Sequence, residues 1–184
     1  MTNQAVSAGV EAGTGVKGGS LLNRLLGLFA SAVNEYARTL TRIGDSTGAR
    51  RWQERVLASI RRDLGDEDPR TLTEMSNLAS ILQDERDLAG ARDLMEQVLA
   101  ISQLNYGDKH PNTLTAMNNL ASAVRAQGDL AGAQALQERV LAASRQMLGD
   151  EHPNTLAAMN NLAITLNERA IFPLLAHSWR RRSL

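Results

Sequence analysis

A chain of 184 residues has the length of one domain, and its 43% apolar and 22% charged residues are the usual composition of a globular protein with a buried core. Twenty basic side chains balance twenty acidic ones, which leaves no net charge to attract nucleic acid or an anionic membrane. The absence of cysteine excludes disulfides and thiolate metal sites. No apolar run approaches the roughly 20 residues that span a bilayer. We therefore expect a cytoplasmic protein.

The first 20 residues are mostly Gly, Ala, Ser, Thr and Val, and burial of such small side chains cannot offset the entropy of ordering them. A flexible leader is therefore predicted over residues 1–20. Its run from Gly13 to Ser20 has the glycine spacing of a phosphate-binding loop, but Gly19 stands where that motif needs a lysine. We expect no nucleotide site there, and we predict a helix for the apolar stretch from Leu21 to Val33.

After the leader the chain repeats itself with a period of 42 residues. A run of Gly and Asp that ends in proline occurs three times, at residues 65–69, 107–111 and 149–153. A Met-x-Asn-Leu-Ala run keeps the same phase at residues 75–79, 117–121 and 159–163. An Asp-x-x-Gly-Ala run does so at residues 45–49, 87–91 and 129–133. Such a period indicates an array of stacked structural units.

Each unit reads as two amphipathic helices, because its apolar residues advance by three or four positions. Pro111 lies where the first turn of a helix tolerates a missing N–H, and Gly107 and Gly149 lie just past a preceding helix. Gly128 and Asp129 supply the turn between the two helices. The predicted domains are a degenerate first hairpin at 21–64, repeats at 65–106 and 107–148, a half repeat at 149–169 and an aberrant tail at 170–184.

These residues resemble the tetratricopeptide repeat, in the 42-residue form found in kinesin light chains. The motif is H-P-N-T-L-x-A-M-N-N-L-A, then G-D-L-A-G-A, then L-Q-E-R-V-L. The resemblance implies an all-α fold, an α-α superhelix or solenoid of about three and a half helical hairpins. It also implies a protein-interaction scaffold that is not an enzyme and needs no cofactor, with a concave groove that binds a peptide or a partner helix.

The groove positions carried over by repeat phase are mostly amides and hydroxyls. Carboxamides both donate and accept hydrogen bonds, which suits an extended peptide held through its main chain. The alternative is that the paired asparagines bond neighbouring helices and stabilise the stack. The predicted groove residues are Ser76, Asn77, Ser80, Gln83, Asn118, Asn119, Ser122, Arg125, Asn160, Asn161 and Asn167.

Other polar residues are explained by the repeat itself. His110 and His152 occupy one phase and precede a proline, as Asp68 does in the earlier unit, so we interpret them as helix caps and expect no metal site. No Ser, His or Asp forms a catalytic constellation outside the repeats, and we expect no catalytic residues. The basic run from Arg180 to Arg182 lacks interleaved aromatics, and no nucleic-acid or membrane partner is expected.

The tail departs from the repeat after Arg169, where Ala-Ile-Phe-Pro replaces the expected Gly-Asp-Leu-Ala turn and Pro173 is expected to disturb the helix. A one-nucleotide shift in suitable codons restores Gly-Asp-Leu-Pro, so we hypothesise that a frameshift created the tail. The last helix then lacks its partner. Either the tail folds back as a cap, or the uncovered end frays or self-associates. An alternative function is a non-autonomous sensor or stacking fragment of a larger switch protein.

Overall fold

The computed structural model describes residue 32 and residues 34–182, with side chains as far as residue 171, and all regular secondary structure in this part of the chain is helical. This confirms the predicted all-α fold. The predicted leader and the start of the first hairpin lie outside the described residues. A helix over residues 34–42, named α1, precedes α2 (Ser46–Leu64), α3 (Pro69–Asp84), α4 (Leu88–Tyr106), α5 (Pro111–Ala126), α6 (Leu130–Leu148) and α7 (Pro153–Arg182).

Two compact units divide the chain, one ending at Gly65 and the other beginning at Asp66. In the first unit, the ring of Tyr36 meets the ring of Trp52 edge to face with centroids 5.8 Å apart. The Arg55 guanidinium lies 5.3 Å from the Trp52 ring centroid, at cation–π distance. This aromatic contact occurs in the hairpin whose sequence departs most from the repeat.

The second unit is a ladder of antiparallel helices in which α3 packs on α4, α4 on α5, α5 on α6 and α6 on α7, and α3 also contacts α5. Ala79, Ala91, Ala121 and Ala133 are all fully buried, and such small side chains allow paired helices to approach closely. Since each helix contacts only its near neighbours, stability arises from hairpins and from the interfaces between them.

The helices that begin each repeat share one cap. Asp68, His110 and His152 each precede the first proline of a helix and accept a hydrogen bond from the backbone N–H two residues later, at 2.9 Å for Asp68 and 3.1 Å for each Nδ1 of the histidines. This confirms that the histidines are helix caps. A hydrogen bond from the Arg70 guanidinium holds the pKa of the Asp68 carboxyl below its ordinary value of 3.8.

The turn between the two helices of a repeat needs a left-handed residue. Gly44 and Gly128 adopt φ of 88° at this position, and Arg86 occupies the same phase with φ of 67°. A side chain makes that conformation costly, whereas glycine adopts it freely. The repeat at residues 65–106 therefore carries backbone strain at Arg86 that glycine avoids at the same position of the hairpins before and after it.

The last helix does not end where the repeat pattern predicts. α7 continues from Pro153 past Pro173 to Arg182, so the expected turn after Arg169 is absent and the tail does not fold back as a cap. A proline inside a helix removes one backbone hydrogen bond and crowds the carbonyl four residues earlier, but the neighbouring Ala and Leu residues favour the helix. The expectation that Pro173 interrupts the helix was wrong, as was the fold-back alternative. The frameshift hypothesis stays a prediction.

The apolar face of α7 is uncovered among the described residues. Leu156 and Leu166 are 52% and 42% exposed, whereas the residues in the same phase of α5, Leu114 and Val124, are 8% and 4% exposed. α5 packs against α4 and also against α6, the second helix of its hairpin, whereas α7, among the described helices, packs on α6 alone. Large apolar side chains are thus exposed on α7 at positions that are covered on α5, and the division of the chain into repeats and a half repeat stays a prediction.

Replacing Arg86 by glycine tests the strain in the turn. Because glycine removes the left-handed penalty but adds chain entropy, we expect Arg86→Gly to raise the free energy of unfolding by about 0.5–1 kcal/mol in urea denaturation. The matched control is Gly128→Arg, which should lower it, since space for a side chain is open there and φ alone opposes it. An Arg86→Gly chain no more stable than the parent would contradict this account.

Candidate functional site

The first helices of successive repeats, α3, α5 and α7, carry the predicted groove residues, and we call their shared surface the groove face. Residues of this surface are half-buried or exposed because they lie between the apolar stripe and open solvent. The half-buried ones are Ser76, Asn77, Gln83, Asn118, Asn119, Arg125 and Asn161, and the exposed ones are Ser80, Ser122, Asn160 and Asn167.

A pocket of about 270 Å³ lies between α3 and α5, with α4 as its floor. Thr73 and Ser76 line its α3 side, and Val98 and Ser102 lie on the α4 floor. On the α5 side it is lined by Asn112, Thr115, Ala116 and Asn119. We call this space the α3–α5 pocket. Its lining combines hydroxyls and amides with apolar carbon and includes no charged side chain.

A second pocket of about 160 Å³ lies between α5 and α7, with α6 as its floor, and we call it the α5–α7 pocket. Gln137 supplies the floor, and Ile164 lies on the α7 side. The remaining lining residues are Asn118, Asn119, Ser122, Arg125 and Asn161. Asn119 lines both pockets, so the two adjoin along the groove face.

Two contacts across the α5–α7 pocket join successive repeats. The Asn161 Nδ2 donates to the Asn118 Oδ1 at 2.9 Å, and the Arg125 guanidinium forms an ion pair with Glu168 at 2.5 Å. Asn118 and Asn161 thus make the bond between neighbouring helices that the alternative interpretation expected. Because Glu168 neutralises Arg125, the groove face carries little net charge at this point.

Several predicted groove residues are engaged within their own helix. The Asn77 amide donates to Glu74 at 3.2 Å, and the hydroxyls of Ser76 and Ser80 donate to backbone carbonyls one turn earlier. Among the described residues, none forms a hydrogen bond with the Asn119 side chain, which faces both pockets. The groove predictions that line neither pocket are Asn77, Ser80, Gln83, Asn160 and Asn167.

Sequence reasoning missed the floor of the α5–α7 pocket. Gln137 is only 4% exposed and follows the helical spacing of Ala133 and Val140, both of them buried. A polar residue inside an apolar stripe is the signal that could have found it. Thr73, Thr115 and Ile164 were missed because their roles depend on the next repeat, which the pattern within one helix does not show.

Within residues 34–171 no cluster of three or more His, Cys, Asp or Glu could hold a metal ion. None of the described helices combines the length and the apolar character needed to cross a membrane.

Two family models that both describe a tetratricopeptide repeat match the sequence. One covers residues 72–146 and 122–170, which together are more than half of the chain, and the other covers residues 29–70. The search of curated proteins found no match.

Solved structures share the architecture. The nearly identical TPR-like repeats of a Podosopora anserina protein named as a kinesin light chain are 31% identical with a TM-score of 0.69, over 76% of this chain and 66% of that one. A variant of the same repeats is 31% identical with a TM-score of 0.67, over 73% of this chain and 64% of that one. BtubC (BKLC) from P. vanneervenii is 22% identical with a TM-score of 0.66, over 80% of this chain and 59% of that one. At this identity the likeness shows a shared fold and nothing further. This chain thus spans under two thirds of the length of each structure.

The Asn118–Asn161 hydrogen bond gives a measurable coupling between repeats. In a double-mutant cycle with Asn118→Ala and Asn161→Ala, we expect a coupling energy of about 0.5–1.5 kcal/mol in the free energy of unfolding, the usual value of a hydrogen bond between neutral groups. Asn160→Ala, at the exposed neighbouring position, serves as the control and should change stability little. Strictly additive effects of the two mutations would show that the bond does not stabilise the stack.

Proposed function

Because this chain belongs to the tetratricopeptide repeat family, we propose that it is a protein-interaction scaffold whose groove face binds an extended peptide or a partner helix. The observation that supports this most directly is the adjoining pair of pockets that meet at Asn119. Two pockets in line along successive helices suit two side chains of one bound segment. The proposal assigns the chain no catalysis and no cofactor, and a cytoplasmic location stays a prediction.

The chemistry of the groove face supports recognition through the peptide main chain. A carboxamide presents a donor and an acceptor together, as a peptide group does, so one Asn side chain can pair with one peptide unit of the ligand. Asn119 is half-buried between the two pockets, where such a peptide unit would pass from one side-chain site to the next. The low net charge of this surface favours neither an acidic nor a basic segment.

The test is selection from a random 12-residue peptide library displayed on phage, followed by affinity measurement with the purified chain. We expect peptides that bind the wild-type chain and that lose at least about tenfold in affinity when Asn119→Ala and Arg125→Ala are combined. The double variant loses the hydrogen bonds of two side chains, and about 1.4 kcal/mol of lost binding free energy corresponds to tenfold in affinity. Glu168→Ala is the matched control, since it breaks the same ion pair and leaves both groove side chains in place. Full binding by the double variant would remove the groove from the account.

We propose a second contact surface on α7, whose uncovered apolar face pairs with the same face of a second copy of this chain. Leu156 and Leu166 are more than 40% exposed, and Ala163 between them is exposed as well. Burying large apolar side chains is worth roughly 1.5–3 kcal/mol each. Pairing of identical faces about a twofold axis is the commonest way in which a chain covers such a surface.

Light scattering during size-exclusion chromatography tests this pairing. We expect a concentration-dependent dimer that Leu166→Glu converts to a monomer, because a buried carboxylate would oppose the contact. Leu104→Glu is the control, since Leu104 is 81% exposed on α4 and should leave the dimer intact. A wild-type chain that stays monomeric at high concentration, with slow amide exchange throughout α7, would contradict the proposal.

A further inference from the structure

We infer that the α5–α7 pocket is a side-chain subsite selective for a carboxamide, the Asn or Gln side chain of a bound peptide, with Gln137 as the group that recognises it. The inference rests on the proposed function of the groove face and adds the chemistry of one ligand position. Gln137 lies on α6, the floor of the pocket, and its position between two repeats places it beneath the path proposed for the ligand.

The side chain of Gln137 is 96% buried, since only 4% of its surface is exposed, and its Oε1 has no hydrogen-bond partner among the described residues. A buried polar group without a partner is costly, and most such groups in folded proteins are paired with protein, water or a ligand. Because Gln137 lines a pocket of about 160 Å³ that opens between α5 and α7, a donor placed in the pocket can satisfy it.

The preceding repeat shows that the fold does not require an amide here. Met95 occupies the same phase of α4 and is 2% exposed, so an unbranched apolar side chain of similar length fits the equivalent place. Methionine would fill this position without leaving a polar atom unpaired. Gln53 occupies the same phase in the first unit and is also buried, so this position accepts either an amide or a methionine. At Gln137 the amide lies where the groove face has a pocket.

The lining selects among possible ligand groups. Arg125 is neutralised by Glu168, and the Asn118 Oδ1 already accepts from Asn161, so the pocket presents no unpaired charge. The Gln137 Oε1 lacks a donor, and the N–H bonds of the same amide can donate to an acceptor placed beside it, so a carboxamide matches both ends of the group. A carboxylate lacks the donor, and an ammonium lacks the acceptor. Ile164, 41% exposed, offers an apolar wall for the ligand's methylene groups.

The experiment selects peptides from the random 12-residue phage library with the wild-type chain and, separately, with Gln137→Met, which copies the preceding repeat. We expect Asn or Gln to be enriched at one position of the peptides selected with the wild-type chain. The peptides selected with the Gln137→Met chain should show no such enrichment. A peptide selected with the wild-type chain should lose about tenfold in affinity for that chain when its enriched Asn or Gln is changed to Asp or Leu. Against Gln137→Met, the difference between the Asn or Gln peptide and its Leu version should disappear.

Two further measurements separate this inference from the proposed function. The thermal midpoint of Gln137→Met should equal or exceed that of the parent, since an unpaired buried amide is removed, and this shows that the variant is folded. Met95→Gln, the reverse exchange in the preceding repeat, should leave the selected position unchanged. If peptides depend on Asn119 and Arg125 yet bind wild-type and Gln137→Met chains equally, Gln137 holds only water and the inference fails alone. If no peptide depends on the groove, both fail.

Discussion

The centre of the second unit is α5, a first helix that is packed between two second helices. α5 contacts α4 on one side and α6 on the other, and its Met117, Leu120 and Ala121 are at most 6% exposed. A helix so enclosed has only one strip left for polar side chains, and that strip becomes the groove face. Stability and binding surface thus come from one arrangement, in which the apolar stripe determines where the amides must point.

The same packing explains why the pockets lie between repeats. Successive first helices are separated by the width of the second helix beneath them, so a space opens over α4 and again over α6. The floor of each space consists of buried residues that a single-helix view assigns to the core, Val98 and Ser102 on α4 and Gln137 on α6.

The sequence predicted the helices, the caps at His110 and His152, and the turn at Gly128, because these depend on spacing within about five residues and their positions recur at the 42-residue period. It could not predict the pairing of Arg125 with Glu168 or of Asn118 with Asn161, since residues 43 positions apart meet only after stacking has set the distance between α5 and α7. The continuation of α7 was missed for a different reason: one proline was weighted above the helix-forming residues around it.

Residue-resolved native-state hydrogen exchange tests most directly whether stacking on both sides holds the unit together. Our account predicts that amides of α5, enclosed by α4 and α6, open only with the whole unit and exchange most slowly. Amides of α7, packed on α6 alone, should exchange through a lower-energy local opening in dilute, monomeric samples. Protection in α7 equal to that in α5, or α5 amides that exchange independently of α6, would contradict the claim that the shared apolar interface carries the structure.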